Sequence, residues 1–491
     1  MGERVEARSF TGEDRMRYRQ KVHRCLDVVA RMFATARFDF EIPMTGTEIE
    51  LSLVDPEFLP AMRNDAVLQR VANPSFTEEL GRFNLEINVR PQTLEGTAVD
   101  GLEADIRREL NDADGRARDE HAGLVMIGIL PTLRAEQLTK EAISDNPRYA
   151  LLDEQMLAMR GEDLHLDIDG VEHLEAWADT IAPEAGCTSV QFHLQVDPDL
   201  FPAYWNAAQV LAGVQVAVGA NSPYFGGHEL WRETRIALFT QAADTRSVEL
   251  KAQGVRPRVW FGERYVTNVF DLFEENIRYF PALLPIVSDE NPEEVLASGG
   301  TPLLPELRLL NGTVWRWNRP VYDVVGTLPH IRLENRVLPS GPSVVDVLAN
   351  GALYYGALRA LVDMDRPIWS QLSFDAAEDN FLQAARYGLE AEQYWPGMGE
   401  VPAPELVLRR ILPLAQEGLQ TWGVDSSVID RLLGIVEQRC ITGRNGAVWQ
   451  VEQVHAYEDA GLDRWEALRR MTGVYIEHMH RNDPVHTWPV D

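Results

Sequence analysis

Acidic side chains and one imidazole recur at alternate positions in short apolar segments of this chain, a pattern suited to binding cations or handling phosphates. In Glu48-Ile49-Glu50-Leu51-Ser52-Leu53, period-two alternation sets Ile49, Leu51 and Leu53 on one strand face and Glu48, Glu50 and Ser52 on the other. The two carboxylates then lie roughly 7 Å apart, twice the rise per residue. Glu is depleted in strands and like charges on one face repel, unless that face is open to water or a cation sits between them. A solvated outer face and a cation site both fit this segment taken alone.

Three more segments repeat the design. Leu85-Glu86-Ile87-Asn88-Val89-Arg90 sets Glu86, Asn88 and Arg90 opposite three apolar residues, and Glu79 stands in the segment leading in. Val190-Gln191-Phe192-His193-Leu194-Gln195-Val196 presents Gln191, His193 and Gln195. His330-Ile331-Arg332-Leu333-Glu334-Asn335-Arg336 presents His330, Arg332, Glu334 and Arg336. A lone strand histidine is more often structural than a ligand, but among carboxylates it becomes a plausible one. Oxygen-rich groups with one imidazole and no cysteine suit Mg2+ or Mn2+ better than a zinc tetrahedron. Carboxylates together with arginines read as metal-bridged phosphates held from both ends.

These strands need elements to position them. The expected fold is α+β: an antiparallel sheet with a concave polar face, helices on its apolar side, and a helical C-terminal region. A cap-like Thr11-to-Asp14 signal followed by Val22, Leu26, Val29 and Phe33 predicts an opening amphipathic helix. Strand-like segments dominate from about 40 to 342, among them GLVMIGILPT (123–132), read as a buried strand with a core role. From about 343 to 491 the periodicity is helical, with Val428, Leu432 and Ile435 on one face. YWPGMGEVPAPE (394–405) is the clearest loop. No repeat or low-complexity tract divides the chain, so residues 1–491 are read as one catalytic unit.

The 491 residues carry a formal charge of −30, which disfavours a nucleic-acid partner and makes local arginines and metal ions necessary for an anionic substrate. Cys25, Cys187 and Cys440 are too few and too scattered for a disulfide framework or a CxxC zinc site, so a reducing cytoplasm is the expected location. No apolar signal core or membrane span is evident. Neither a G-x-x-x-x-G-K-[ST] loop nor a G-x-G-x-x-G after a strand occurs, so ATP, if used, is held another way.

In order and spacing these segments resemble the glutamate–cysteine ligase family, particularly its bacterial carboxylate–amine ligase branch. GTEIELSL is similar to the family's G-x-E-x-E strand, Glu79 with Glu86 to its second acidic pair, and SVQFHLQV to its histidine strand. ANSPYFGG (220–227), followed by Arg235, Asp244 and Arg246, is similar to its "NSP…G…R…D…R" stretch. IRLENR matches a late E-x-R strand, and LQAARYGLEA (382–391) and GRNGAVWQ (443–450) extend the resemblance over about 45 to 450.

The resemblance implies a glutamine-synthetase-like sheet, a funnel-shaped site and two or three Mg2+ ions bridging ATP. It implies metal ligation by Glu48, Glu50, Glu79, Glu86, His193 and Glu334. Arg336 would contact the transferred phosphate and Arg235 an anionic substrate or phosphate, with Glu334 beside them in the catalytic set. Gln191, Arg332 and Arg336, with Arg246, would face the nucleotide. The implied activity is γ-glutamyl amide formation between glutamate and an amine, cysteine being the expected acceptor, through a γ-glutamyl phosphate, as in glutathione-type thiol biosynthesis. No oligomeric state is implied. Asp346 lies too far beyond Arg336 to take the Asp role that relatives place there. The Arg148–Tyr149 pair resembles one that relatives hold near substrate, or is a surface arginine beside a packing tyrosine. Trp315 and Trp317 would stack on adenine or fill the core, the core being the favoured reading, and Asn221 with Ser222 read as turn formers. The rival readings are a ligase or phosphotransferase with a different substrate, a non-catalytic metal- or nucleotide-binding regulator, and a metal-dependent hydrolase, the last with little need for so many arginines.

Overall fold

Seven antiparallel strands form the sheet that carries the acidic residues. The computed structural model describes residues 10–35, 38–40 and 42–491. The strands are β1 (Thr45–Val54), β2 (Phe76–Glu78), β3 (Asn84–Gln92), β4 (Gly123–Val125), β5 (Ser189–Val196), β6 (Asn318–Val325) and β7 (Leu328–Pro339). Their order is β6-β7-β5-β1-β3-β2, with β4 paired to the far end of β1. Pro320, which cannot donate to a ladder, sits in β6 at the end of that order.

Alternation is realised as expected in β1, where Ile49, Leu51 and Leu53 are fully buried. Two helices cover the apolar side, α1 (Phe201–Gly219) and α2 (Val344–Val362), and their apolar residues are buried nearly all round. Such helices lack an amphipathic stripe because sheet and other helices cover them on every side. The α2 residues Tyr354 and Tyr355 pack on Phe192 of β5, and the Tyr355 hydroxyl donates to the His193 carbonyl at 3.0 Å. Each buried aliphatic or aromatic side chain contributes about 1.5–3 kcal/mol. A third helix, α3 (Leu412–Thr421), crosses α2 so closely that a Cβ on Gly418 would overlap the Gly356 carbonyl.

The opening helix is present over Gly12–Thr35, with the Thr11 hydroxyl bonded to Asp14 at 2.7 Å and Val22, Leu26 and Val29 buried. The predicted loop at 394–405 is instead a hairpin, Glu392–Trp395 with Gly399–Pro402, leading into a short helix at Ala403. Its Pro-Gly turn closes two strands rather than separating helices. GLVMIGIL is buried, but only Gly123–Val125 pairs as a strand.

Two bulges break the alternation. Opposite Gly46, β3 carries an extra residue at Arg90–Pro91, so Arg90 leaves the polar row and is exposed. Opposite Gln191, β7 places both Arg336 and Val337, which ends the row at Arg336 and turns Leu338 toward α1. One hydrophobic cluster runs from Tyr18 to Trp488. Among the described residues no helix is long and apolar enough to cross a membrane.

Candidate active site

Cross-strand register brings the acidic residues side by side. Glu86 of β3 pairs with Glu50 of β1, Glu48 of β1 with Gln191 of β5, His193 of β5 with Glu334 of β7, and Glu334 with Arg319 of β6. Directly opposed side chains on one face are about 5 Å apart at Cβ. All of these line one cavity of about 670 Å³, together with Glu79 from the segment after β2.

The six expected metal ligands separate into two groups, Glu48–His193–Glu334 and Glu50–Glu79–Glu86. Within each, one ligand atom per residue lies within 4.8 Å of the others. The two groups differ in charge balance. Arg319 holds Glu334 bidentately at 2.7 and 3.0 Å, and Arg336 donates to it at 2.6 Å. Burial would raise the Glu334 carboxyl, but these guanidinium groups and His193 hold it well below the usual carboxylate range. Burial likewise works against ionised Glu48, and the neighbouring His193 more than offsets it, leaving Glu48 at about 2. Arg336 donates a second bond to Gln191 at 2.6 Å, and Gln191 in turn donates to Glu50 at 2.9 Å.

No arginine hydrogen-bonds the other group among the described residues. Burial, then Glu48 and Glu50, push Glu86 up to about 7; burial, then Glu86 and Glu50, push Glu79 well above the usual carboxylate range; burial raises Glu50. Three carboxylates this close cannot all ionise without a cation. Their oxygen-only donor set fits a hard divalent ion such as Mg2+ or Mn2+. In the first group His193 Nε2 is buried without a hydrogen-bond partner, 3.3 Å from Glu48 but poorly aligned, and free to serve as a ligand. Its Nδ1 accepts from Arg332 at 3.2 Å. An imidazole giving its Nε2 lone pair to a cation would carry its proton on Nδ1 and release that bond.

Two expected residues lie elsewhere. Arg235 does not face the cavity: it is 2% exposed, donates to Glu233 at 2.9 Å and to the Val337 carbonyl, and sits over Trp317. Arg246 closes a local ion pair with Asp244 at 2.9 Å and donates to the Val255 carbonyl, outside the cavity lining. Spacing within a motif shows that these arginines recur, not how deep they are buried. Asp346 is wholly buried against Arg439 at 2.6 Å and ties down the Val485 amide, a packing role.

Arg148, Tyr149 and Trp315 line the cavity, whereas Trp317 is core. Asn221 is buried and holds Ser340 of the segment following β7. Arg319 and Glu184 escaped the sequence reading. Arg319 was findable, because NRPVYDVV and LPHIRLENR around Gly326 make a hairpin that sets it opposite Glu334. Glu184 lies in a short turn with no periodicity; burial, then Glu50, raise it to about 8.

Two of the solved structures similar to this chain in fold are ligases or synthetases. A glutamate–cysteine ligase from Francisella tularensis in complex with AMP is 12% identical with a TM-score of 0.53, covering 92% of this chain and 96% of that one. A bifunctional glutathione synthetase from Pasteurella multocida is 13% identical with a TM-score of 0.51; the match covers 94% of this chain and 55% of that one. No curated protein sequence matches the chain. Residues 44–451 match the family described as glutamate-cysteine ligase family 2 (GCS2), and this defines the class as an ATP-dependent carboxylate–amine ligase. The chain belongs to glutamate–cysteine ligase family 2.

Proposed function

We propose that this chain joins the γ-carboxylate of glutamate to an amine at the expense of ATP, with cysteine the first acceptor to test. The observation that carries the reading is the pairing, in one cavity, of two carboxylate-rich groups with Arg336 and Arg319. A γ-carboxylate oxygen attacks the γ-phosphorus, the bond to the β-phosphate oxygen breaks, and ADP leaves. The amine nitrogen then attacks the acyl carbon, phosphate departs, and the nitrogen loses a proton. Both reactants of the first step are anionic, so approach needs fixed positive charge.

Arg336 supplies such charge. Burial would weaken its protonation, but Glu334 and Glu50 hold the guanidinium charged, and its bonds to Glu334 and Gln191 fix its direction. Arg332 and Gln191 border the same space and are read as nucleotide contacts. Glu48, His193 and Glu334, and separately Glu50, Glu79 and Glu86, would hold Mg2+ or Mn2+. Such ions, when bound, offset phosphate charge and polarise the transferred group. The same reading makes residues 1–491 one catalytic unit in a reducing cytoplasm, consistent with three free thiols.

The test incubates purified protein with Mg2+, ATP, glutamate and a panel of amines including cysteine, following ADP and amide products by mass spectrometry. Glutamate-dependent ADP and a γ-glutamyl amide are expected, with Glu334→Gln lower by orders of magnitude while still folded. No glutamate-dependent ADP across the panel would sink the proposal.

A further inference from the structure

The bulge that ends the polar row of β7 is held from behind. Arg336 and Val337 share one partner position opposite Gln191, and the Arg336 amide donates to the Trp317 carbonyl at 2.8 Å. On the side away from the cavity, the Val337 carbonyl accepts from Arg235. That guanidinium also donates to Glu233 at 2.9 Å and lies 5.6 Å from the Trp317 ring centroid. Glu233 is anchored in turn by the Asn221 amide at 2.9 Å. The Arg235 amide donates to the Ser222 hydroxyl at 3.2 Å. Asn221 also donates to the Ser340 carbonyl at 2.7 Å, and the Ser340 hydroxyl to the Glu50 carbonyl at 2.6 Å. Segment 337–340, the end of the strand carrying Glu334 and the residue after it, is thereby fastened to the strand carrying Glu50 and to Asn221 and Arg235.

We infer that Arg235 is a positioning residue: through the Val337 carbonyl it holds the bulge at Arg336–Val337, and with it the backbone from which Arg336 reaches Glu334 and Gln191. A regular β7 would carry its alternation past Arg336, whereas the bulge reverses it at Val337 and leaves Arg336 as the last polar side chain of the row. Two bonds from the Arg336 guanidinium, to Glu334 and Gln191, depend on where that backbone lies. The Glu233 carboxylate balances Arg235 inside the protein, which leaves Arg235 directed at backbone rather than at a substrate anion. The inference rests on the proposed role of Arg336 at the transferred phosphate.

Steady-state kinetics with ATP, glutamate and the preferred amine separate the possibilities. Arg235→Lys keeps the charge but shortens the reach to Val337. Its kcat is expected to fall about 100-fold, the scale of a misplaced reacting group. KM for glutamate should stay within about twofold, because uniform substrate binding is untouched. Arg336→Lys should lose kcat comparably, and adding Arg235→Lys to it should cost no more than about twofold further, since the two act as a unit. Arg235→Met with Glu233→Gln removes both buried charges and guards against a folding defect; a folded protein by thermal melting with the same loss of kcat is expected. A raised glutamate KM with kcat retained, multiplying losses in the Arg235–Arg336 double variant, or full activity in the folded Met/Gln variant would overturn the inference. Full kcat in Arg336→Lys would instead overturn the reading of the site beneath it.

Discussion

Among the described residues, Glu50, Glu79 and Glu86 crowd one end of the cavity without a guanidinium bonded to any of them, whereas Glu334 has two. The imbalance should be visible in stability. Burial, then Glu48 and Glu50, hold Glu86 at about 7 in the fold, above the roughly 4.3 of an unfolded glutamate. Between those values the metal-free native state binds more protons than the unfolded state, so stability falls as pH rises through that window. Glu86→Gln removes the effect. In EDTA the variant should gain on wild type by about 3 kcal/mol between pH 5 and pH 8, read from urea unfolding, and Mg2+ should narrow the gap. Parallel pH profiles would contradict the crowding account. Glu48, Glu50, Glu86, His193 and Glu334 were legible because strand alternation assigns each to the polar face of its strand, whereas Glu79, outside any strand, was reached only through its spacing from Glu86. Arg235 and Arg246 were legible only as members of a motif: an arginine in sequence carries no mark of whether it will meet a ligand, a buried Glu233 or a neighbouring Asp244.

At the scale of elements, sheet and covering helices are coupled by close approach. Hydrophobic alternation suffices to read β1, β3, β5 and β7, since one face of each is apolar. The bulges at Arg90–Pro91 and Arg336–Val337 were not legible, because an extra residue in one strand is defined only against its partner's register. The 394–405 hairpin was missed for a related reason: its Pro-Gly turn is compatible with any sharp reversal, and pairing decides. Contact between α2 and α3 depends on Gly356 and Gly418, where backbones meet. Gly418→Ala should therefore destabilise by about 3 kcal/mol through overpacking. Gly434→Ala, in the helix Ser426–Thr442 with nothing near its would-be Cβ, should instead stabilise by roughly 0.5–1 kcal/mol. Chemical denaturation of both variants checks the pair; a loss confined to Gly434→Ala would contradict the packing.

Across the whole molecule the formal charge of −30 opposes the entry of ATP and a carboxylate substrate, and the cavity lining sets Arg319, Arg332 and Arg336 against it locally. The family resemblance read over about 45 to 450 corresponds to the matched span of 44–451. The helical part was legible as helices, from periodicity, but not as the cover of the sheet, because which buried faces meet is settled by tertiary contact. Under the proposed function the glutamate γ-carboxylate is activated by phosphoryl transfer, a step that oxygen tracing reads out. Glutamate labelled with 18O in its γ-carboxylate, turned over with ATP, Mg2+ and the preferred amine, should yield inorganic phosphate carrying one 18O atom. Amide product accompanied by unlabelled phosphate would contradict it.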